Sequence, residues 1–335
     1  MGRILLVHFS DLHFGSDLIG TDSTVPGLRG HDLLLCGHLR AVTRRRGQST
    51  IAADFQLPAE ERLHFVLGGD LTRVGSANDF YLAYQWLFDR FALYTLVGPP
   101  RPRGLQIPPG DLYSVPGNHD QWNGISPGLT NWFSPAAYNP YLAPNWFWPT
   151  PWRRIIVSPQ SDFVVDLFGV DSNSGLNRAR GNFFAAGAIS TQELVDLEVL
   201  LSQSLADEKN DPQKRPRLRA ILCHHSFVGN AATAGLQRNS VTELIRLAHE
   251  YDAAAILTGH MHSAIHDPHV SPKNHLFWEL RAAAAVQRGS QPGLQGFWVH
   301  ELTCEQGQPH WKAWQYETSA NFGPFTRLPS PLPIR

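Results

Sequence analysis

Short apolar runs recur along the chain, and five of them are followed directly by clusters of polar residues. Their length, their β-branched and aromatic content and the turn residues around them predict strands. These five runs are Ile4–Phe9, Phe65–Leu67, Leu112–Val115, Leu218–Leu222 and Ala253–Leu257. Later β-rich segments, which we expect to complete a second sheet, are Leu276–Leu280, Gly296–Leu302 and His310–Tyr316.

Helical patterns alternate with these strands. Asp79–Tyr94 carries apolar residues at helical spacing, and the sequences Ser190–Glu193 and Ser240–Glu243 are capping boxes that predict the starts of two further helices. Alternating strands and helices favour a layered α/β fold in which the helices cover the sheet faces. The carboxyl ends of the five strands would then bring their polar clusters to one sheet edge.

No internal repeat or linker divides the chain, so we predict one domain over residues 1–320 and an extended, proline-rich tail over 321–335. Two segments are predicted insertions. Phe14–Glu61 is rich in glycine and polar residues, and its triplet Arg44–Arg46 is interpreted as a solvated helix end. Residues 122–152 interleave aromatic residues with proline and asparagine, which suits a small local core, an aromatic wall for substrate or a contact between copies of the chain.

Composition and charge limit the function. The 335 residues include 28 Lys and Arg against 29 Asp and Glu, so the formal charge is −1 and no basic field attracts a nucleic acid polymer. No apolar stretch approaches the roughly 20 residues of a membrane span. The cysteines are odd in number and far apart, at Cys36, Cys223 and Cys304, and the amino terminus does not resemble a signal peptide. We therefore expect a soluble, cytoplasmic protein.

The polar clusters supply ligands for metal ions. They are Asp11-Leu12-His13, Gly69-Asp70, Gly117-Asn118-His119-Asp120, Cys223-His224-His225 and Gly259-His260-Met261-His262. Two ligand types two residues apart, as in the first and last clusters, project to the same side of an extended backbone. One metal ion can therefore accept both Asp11 and His13, and His260 and His262 have the same spacing.

The remaining clusters suggest a division of roles. Asp70 arrives alone, and a lone carboxylate can bridge two cations through its two oxygens. Asn118 offers an amide oxygen, whereas the side chain of His119 diverges from it and is free to act on the substrate. Glycines at 68, 69 and 259 leave room for close approach and for a sharp turn.

Any one cluster alone is more often structural than catalytic. The other histidines of the chain receive that interpretation, and Cys223 is interpreted as buried beside the site rather than as a ligand. The prediction of two metal ions depends on all five clusters occurring in order at strand ends.

In these motifs the chain resembles the calcineurin-like metallophosphoesterase superfamily. The segments Ser10–Gly15, Gly69–Thr72 and Pro116–Asp120 are especially similar to a bacterial branch that contains cyclic-nucleotide and glycerophosphodiester phosphodiesterases. The likeness runs from about Met1 to Leu302. It implies a layered αββα sandwich with two mixed β-sheets flanked by helices and a dimetal site at the carboxyl ends of the strands.

The resemblance also implies a set of roles. One ion would be held by Asp11, His13, Asp70 and His262, and the other by Asp70, Asn118, His224 and His260. Asn118 and His119 would contact the phosphate, and His119 would protonate the leaving group. Asp120 would support catalysis as an orienting group. His224 is chosen as ligand because it ends its strand, with His225 behind it, but the sequence leaves the two open.

Metal identity and substrate follow less directly. Carboxylate, imidazole and amide ligands suit manganese or an iron–manganese pair, with zinc as an alternative. Two such ions would activate a bridging water, so hydrolysis would need no protein nucleophile.

We expect a small phosphodiester as substrate. Alternatives are a phosphomonoesterase or protein phosphatase, a nucleotide-conjugate or lipid-intermediate pyrophosphatase, and, less favoured, a scaffold without activity or a DNA repair nuclease. Asn173, Arg178, Arg180 and Asn182 could line the substrate pocket.

Overall fold

The computed structural model describes most of the chain. The described residues are 2–14, 50–58, 61–73, 75–88, 92–93, 101–102, 104–121, 149–175, 186–227, 235–270, 276–285, 295–318 and 325–335. The triplet Arg44–Arg46, most of both predicted insertions, and Arg178, Arg180 and Asn182 lie outside them.

Two sheets contain nearly all of the strands. The strands of the first sheet are β1 (Arg3–Phe9), β2 (Leu63–Leu67), β5 (Leu112–Ser114), β12 (Gly296–Glu305), β13 (Gln308–Thr318), β14 (Phe325–Arg327) and β15 (Leu332–Pro333). Those of the second are β6 (Trp152–Val157), β7 (Val164–Gly169), β8 (Arg217–Leu222), β9 (Ala253–Thr258), β10 (Ile265–Val270) and β11 (Leu276–Arg281). The first sheet has the order β14-β13-β12-β1-β2-β5, with β15 also pairing with β13, and the second has the order β10-β11-β9-β8-β7-β6. A separate pair is β3 (Ala92–Leu93) with β4 (Arg101–Pro102).

Most helices of the described chain cover the outer sheet faces, and the short helix Asn118–Gln121 lies at the sheet ends. They are α1 (Thr50–Asp54), α2 (Ala77–Phe88), α3 (Asn118–Gln121), α4 (Thr191–Asn210) and α5 (Arg238–Glu250), and a 3-10 turn spans Pro109–Asp111. None of the helices in this described part is long and apolar enough to cross a membrane.

Three apolar layers hold the sandwich together. Along β1, Leu5 and Val7 face α2 on one side, while Ile4 and Leu6 face the second sheet on the other. This alternation follows from the two-residue period of a strand. The third layer packs α4 and α5 on the outer face of the second sheet. The αββα sandwich of two mixed sheets is thereby confirmed.

Several element predictions need correction. The helix predicted to Tyr94 ends at Phe88, because residues 92–93 form β3. The second capping box is wrong: α5 begins at Arg238, and Ser240 Oγ instead accepts the amide of Ile189 at 3.0 Å. At the first box, Ser190 Oγ does accept the amide of Glu193.

The late strands also pair differently from expectation. Only β11 joins the second sheet, because β12 returns to β1 and pairs antiparallel with it. The segment expected as a separate tail adds β14 and β15 to β13, with Phe325 and Ile334 buried. Trp152, placed at the end of the aromatic insertion, begins β6, and its indole nitrogen donates to the carbonyl of Ser114.

Candidate metal centre

The five polar clusters meet where the two sheets face each other. Three follow strands β1, β2 and β5 of the first sheet, and two follow β8 and β9 of the second. The expectation of a single sheet edge is therefore wrong. Bonds across the interface join the two halves: the amide of His260 donates to Asp11 Oδ2 at 3.0 Å, and His224 Nδ1 lies 2.6 Å from the carbonyl oxygen of Gly68.

Turns, rather than extended backbone, present the candidate ligands. Five of these residues have left-handed φ angles, a conformation that non-glycine residues seldom adopt and that concentrates at functional sites. They are Asp11 (58°), His13 (45°), Asp70 (52°), His260 (71°) and His262 (56°). Asp11 and His13 do enter one ligand group, but the extended geometry predicted for these residues is wrong, and His260 and His262 enter different groups, beside His224 and Asp11 respectively.

The glycines of the motifs allow close approach. Gly69 has a φ of 94°, and a Cβ there would lie 2.7 Å from His224 Nδ1. A Cβ at Gly117 would overlap the carboxylate of Asp70. Gly259 was expected to make a sharp turn, but the left-handed residue is His260; Gly259 is needed because a Cβ would overlap Ser10 Oγ.

A first group of ligand atoms consists of Asp11, His13 and His262. Their ligand atoms lie within 4.8 Å of one another. The two Nε2 atoms are 3.4 Å apart, and Asp11 Oδ1 is 3.3 Å from that of His262. Asp11 Oδ1 is buried and accepts no well-aligned hydrogen bond from the described residues. A bare carboxylate oxygen between two imidazole nitrogens is a donor set that fits a divalent cation.

A second group forms around His224. Its Nε2 lies 3.0 Å from Asn118 Oδ1, 3.1 Å from His260 Nδ1 and 3.3 Å from Asp70 Oδ2. The carbonyl of Gly68 can only accept a hydrogen bond, so Nδ1 of His224 carries a proton and donates it to this carbonyl. This leaves Nε2 for a cation, the usual arrangement of a metal-binding histidine.

Asp70 connects the two groups. It belongs to a cluster with His13 and His119 and to another with Asp11 and His224, each with ligand atoms within 4.8 Å. The structure thus brings together all seven residues predicted as ligands. A carboxylate between two such groups has the position that a bridging ligand requires.

The electrostatics of the groups also suit cations. Burial opposes ionisation of Asp70, but the imidazoles of His224 and His119 outweigh it and hold the pKa of the carboxyl well below its usual range. Burial likewise opposes protonation of His224, yet the Asp70 carboxylate raises the pKa of this histidine to about 9. For His13 and His260, burial dominates and lowers each pKa to about 3. At neutral pH the metal-free site therefore holds Asp70 and His224 as a charged pair, with His13 and His260 as neutral imidazoles.

His119 and Asp120 have different surroundings. The Nδ1 of His119 lies 2.6 Å from the carbonyl oxygen of Arg73, and its backbone amide donates to Asp70 Oδ1 at 2.8 Å. Asp120 is buried and accepts hydrogen bonds from the amides of Leu71, Thr72 and Gly117 and from the Thr72 hydroxyl. It joins the turn after β2 to the turn after β5, and no ligand group includes it among the described residues.

Residues behind the site were only partly anticipated. Asn173, considered for the substrate pocket, is buried and donates to Asp171 Oδ1 and to the carbonyl of Pro116. Ser172 was missed: its Oγ lies 2.7 Å from His225 Nδ1. A signal for it existed, since Ser172 follows the end of β7 as the recognised clusters follow their strands.

Known proteins match this chain in sequence pattern and in fold. The model of the calcineurin-like phosphoesterase family matches residues 4–264. A dimetal phosphatase from Danio rerio has a similar fold, with a TM-score of 0.52 and 11% identity over 100% of this chain and 99% of that one. GAP50, the anchor in the inner membrane complex of Plasmodium, matches with a TM-score of 0.48 and 13% identity over 98% of this chain and 89% of that one.

A purple acid phosphatase from yellow lupin seeds matches with a TM-score of 0.45 and 11% identity, over 94% of this chain and 51% of that one. The comparison with curated proteins gave no match. Since the family model spans most of the sequence, including all five motifs, the chain belongs to the calcineurin-like phosphoesterase family.

Proposed function

We propose that this protein is a metal-dependent hydrolase of small phosphodiesters. The observation that carries the proposal is the pair of adjoining ligand groups that Asp70 connects. Together they offer Asp11, His13, Asp70, Asn118, His224, His260 and His262, which would hold two divalent ions, manganese or an iron–manganese pair. When bound, such ions supply a nucleophile from water at neutral pH and stabilise negative charge on a phosphoryl group.

His119 would contact the substrate and donate a proton to the leaving group. A backbone carbonyl fixes the ring of His119, so its Nε2 faces the side of the site where the ring of His13 lies, with ring centroids 4.7 Å apart. From there His119 can contact a phosphoryl oxygen and deliver a proton to the leaving alkoxide. The amide of the same residue holds Asp70 in place.

The preference for a diester comes from the sequence likeness of Gly69–Thr72 to the phosphodiesterase branch. A panel of monoesters, linear diesters, cyclic nucleotides and nucleoside diphosphate conjugates tests it on metal-reconstituted protein. We expect the fastest hydrolysis with a diester such as bis(p-nitrophenyl) phosphate and added manganese. Preference for a monoester or a pyrophosphate bond would assign one of the alternatives, and no hydrolysis in a metal-loaded protein would indicate a scaffold.

Two variants test the site itself. Asp70→Asn removes the shared carboxylate, and His119→Ala removes the proposed proton donor, so each is expected to lower the rate by about 100-fold or more. Asp196→Asn on α4, a half-buried carboxylate that accepts from Gln192, is the matched control and should keep the wild-type rate. Full activity of Asp70→Asn would reject the site. The cytoplasmic setting stays a prediction.

A further inference from the structure

The two adjacent histidines of the fourth motif have opposite partners at Nδ1. His224 Nδ1 faces the carbonyl oxygen of Gly68 at 2.6 Å, and a carbonyl can only accept. His224 Nδ1 therefore carries a proton, and Nε2 faces Asn118 and Asp70, where a cation would replace any proton on it. His225 Nδ1 instead faces a hydroxyl, that of Ser172, at 2.7 Å.

The proton on that hydroxyl can be placed by elimination. Ser172 is fully buried, and its Oγ already accepts the backbone amide of His225 at 3.2 Å. Within the described parts of the chain, the only acceptor for the Ser172 hydroxyl is His225 Nδ1. A buried hydroxyl that fails to donate is unfavourable. The hydroxyl therefore donates to Nδ1, and His225 carries its own proton on Nε2.

Distance alone would allow His225 to be a ligand. His224, His225 and His260 offer ring nitrogens that all lie within 4.8 Å of one another, and the rings of His225 and His260 are 4.5 Å apart. The His225 ring is also packed against Gly187, where an added Cβ would overlap it. Its position is therefore fixed, and only its protons separate it from the ligand histidines.

We propose that Ser172 is a positioning residue that excludes His225 from metal coordination and so selects His224. Nδ1 of His225 is occupied by the hydroxyl, and Nε2 presents an N–H, which repels a cation and can donate to an oxygen. The second ion then has two imidazole ligands, His224 and His260, instead of three. This inference rests on the metal site of the proposed function and explains why His225 does not become an additional ligand there.

Nitrogen-15 NMR of the histidine rings in the full-length protein tests the assignment directly. In metal-free and zinc-loaded protein, we expect His225 to be protonated at Nε2 and unprotonated at Nδ1, with no large change on zinc binding. In the zinc-loaded form, His224 should show the reverse pattern, with its Nε2 signal moved by the metal. Protonation of His225 at Nδ1, or a zinc-induced shift of its Nε2, would overturn the proposal.

Matched variants give a second readout. His225→Gln keeps an N–H donor near the position of Nε2, so we expect its zinc content to equal that of wild type, whereas His224→Gln should lose about half of the bound zinc. Ser172→Ala should add an imidazole to the zinc shell in X-ray absorption spectra. Ser174→Ala, which removes a hydroxyl of the same loop that contacts the Asp171 carbonyl, should not. Loss of zinc in His225→Gln equal to that in His224→Gln would reject the selection.

These outcomes are separable from failure of the proposed function. A protein with the expected His225 pattern that hydrolyses no diester would retain this inference and lose the proposed substrate. If the protein hydrolyses diesters but His225 is protonated at Nδ1, the proposed function is retained and this inference is lost. The metal-free spectrum of His225 decides the inference even if no metal binds.

Discussion

Substituting Gly259 by alanine should damage the contact between the two sheets at the metal centre. Gly259 follows β9, and a Cβ there would overlap Ser10 Oγ and lie 2.6 Å from Ser10 Cβ and 3.0 Å from Asp11 Oδ2. The next amide, that of His260, donates to the same Asp11 oxygen. The added methyl therefore pushes the loop after β1 away from the loop after β9.

The size of the effect follows from these contacts. Overpacking a buried site costs about 1–3 kcal/mol, and the lower entropy of the unfolded chain on Gly→Ala replacement offsets about 0.4–1 kcal/mol. We therefore expect Gly259→Ala to lower the free energy of unfolding by about 1–2 kcal/mol. Ser10→Gly removes both clashing atoms of that side chain, and the Ser10 hydroxyl has no hydrogen-bond partner among the described residues. The double variant should be more stable than the sum of the single effects by about 1 kcal/mol.

Urea denaturation of the single and double variants measures this coupling. Gly110→Ala is the matched control, because a Cβ at Gly110 meets nothing within 4 Å. If Gly259→Ala were as stable as Gly110→Ala, or if the effects of Gly259→Ala and Ser10→Gly simply added, the steric argument would be refuted. Zinc titration of the same proteins should show weaker binding in Gly259→Ala and partial recovery in the double variant.

Three further predictions concern residues around the site. Asp120→Asn places an amide NH2 against donors that now bond to a carboxylate, so the free energy of unfolding should fall by about 2–4 kcal/mol in urea denaturation; a loss below about 0.5 kcal/mol would contradict this role. Burial raises the pKa of Glu193 to about 7 from 4.5, so the folded protein binds more protons between these values and its stability falls as pH rises through this range. In wild type the free energy of unfolding should fall by about 2 kcal/mol over this pH range, after allowance for solvent screening, and Glu193→Gln should remove this fall. If the pH dependence of stability were the same in Glu193→Gln as in wild type, the assignment would be rejected. Ser190→Ala should destabilise the protein by about 1 kcal/mol through loss of the α4 cap, whereas Thr242→Ala within α5 should change its stability by less than about 0.5 kcal/mol.

Local patterns predicted much of this molecule. The five apolar runs that precede the motifs are strands, and the polar residues that follow them converge, because the carboxyl ends of neighbouring parallel strands point the same way. The N-cap at Ser190 was also predicted, since its hydrogen bond spans only three residues, but the return bond of a capping box is replaced, because Glu193 accepts the amide of Asp171 instead. These features depend on local sequence.

Features set by distant parts of the chain were missed. No local signal predicts that β12 returns to β1 rather than joining the second sheet, since packing selects an antiparallel partner 290 to 300 residues away in the sequence. The left-handed backbone of Asp11 and His13 was missed because neither residue is glycine, and their amides bond to carbonyls of Gly69 and Asp70 in another loop. The hydroxyl of Ser172 behind His225 belongs to a third segment and was missed for the same reason.

Because the metal-binding side chains are divided between two sheets, the geometry of the site depends on how those sheets are aligned. One sheet positions Asp11, His13, Asp70 and Asn118, and the other positions His224, His260 and His262. A displacement of one sheet by a fraction of an ångström therefore changes every ligand distance between the sheets. Variants that loosen the apolar filling between the layers, such as Leu6→Ala or Leu257→Ala, would therefore weaken ion affinity even where the protein stays folded.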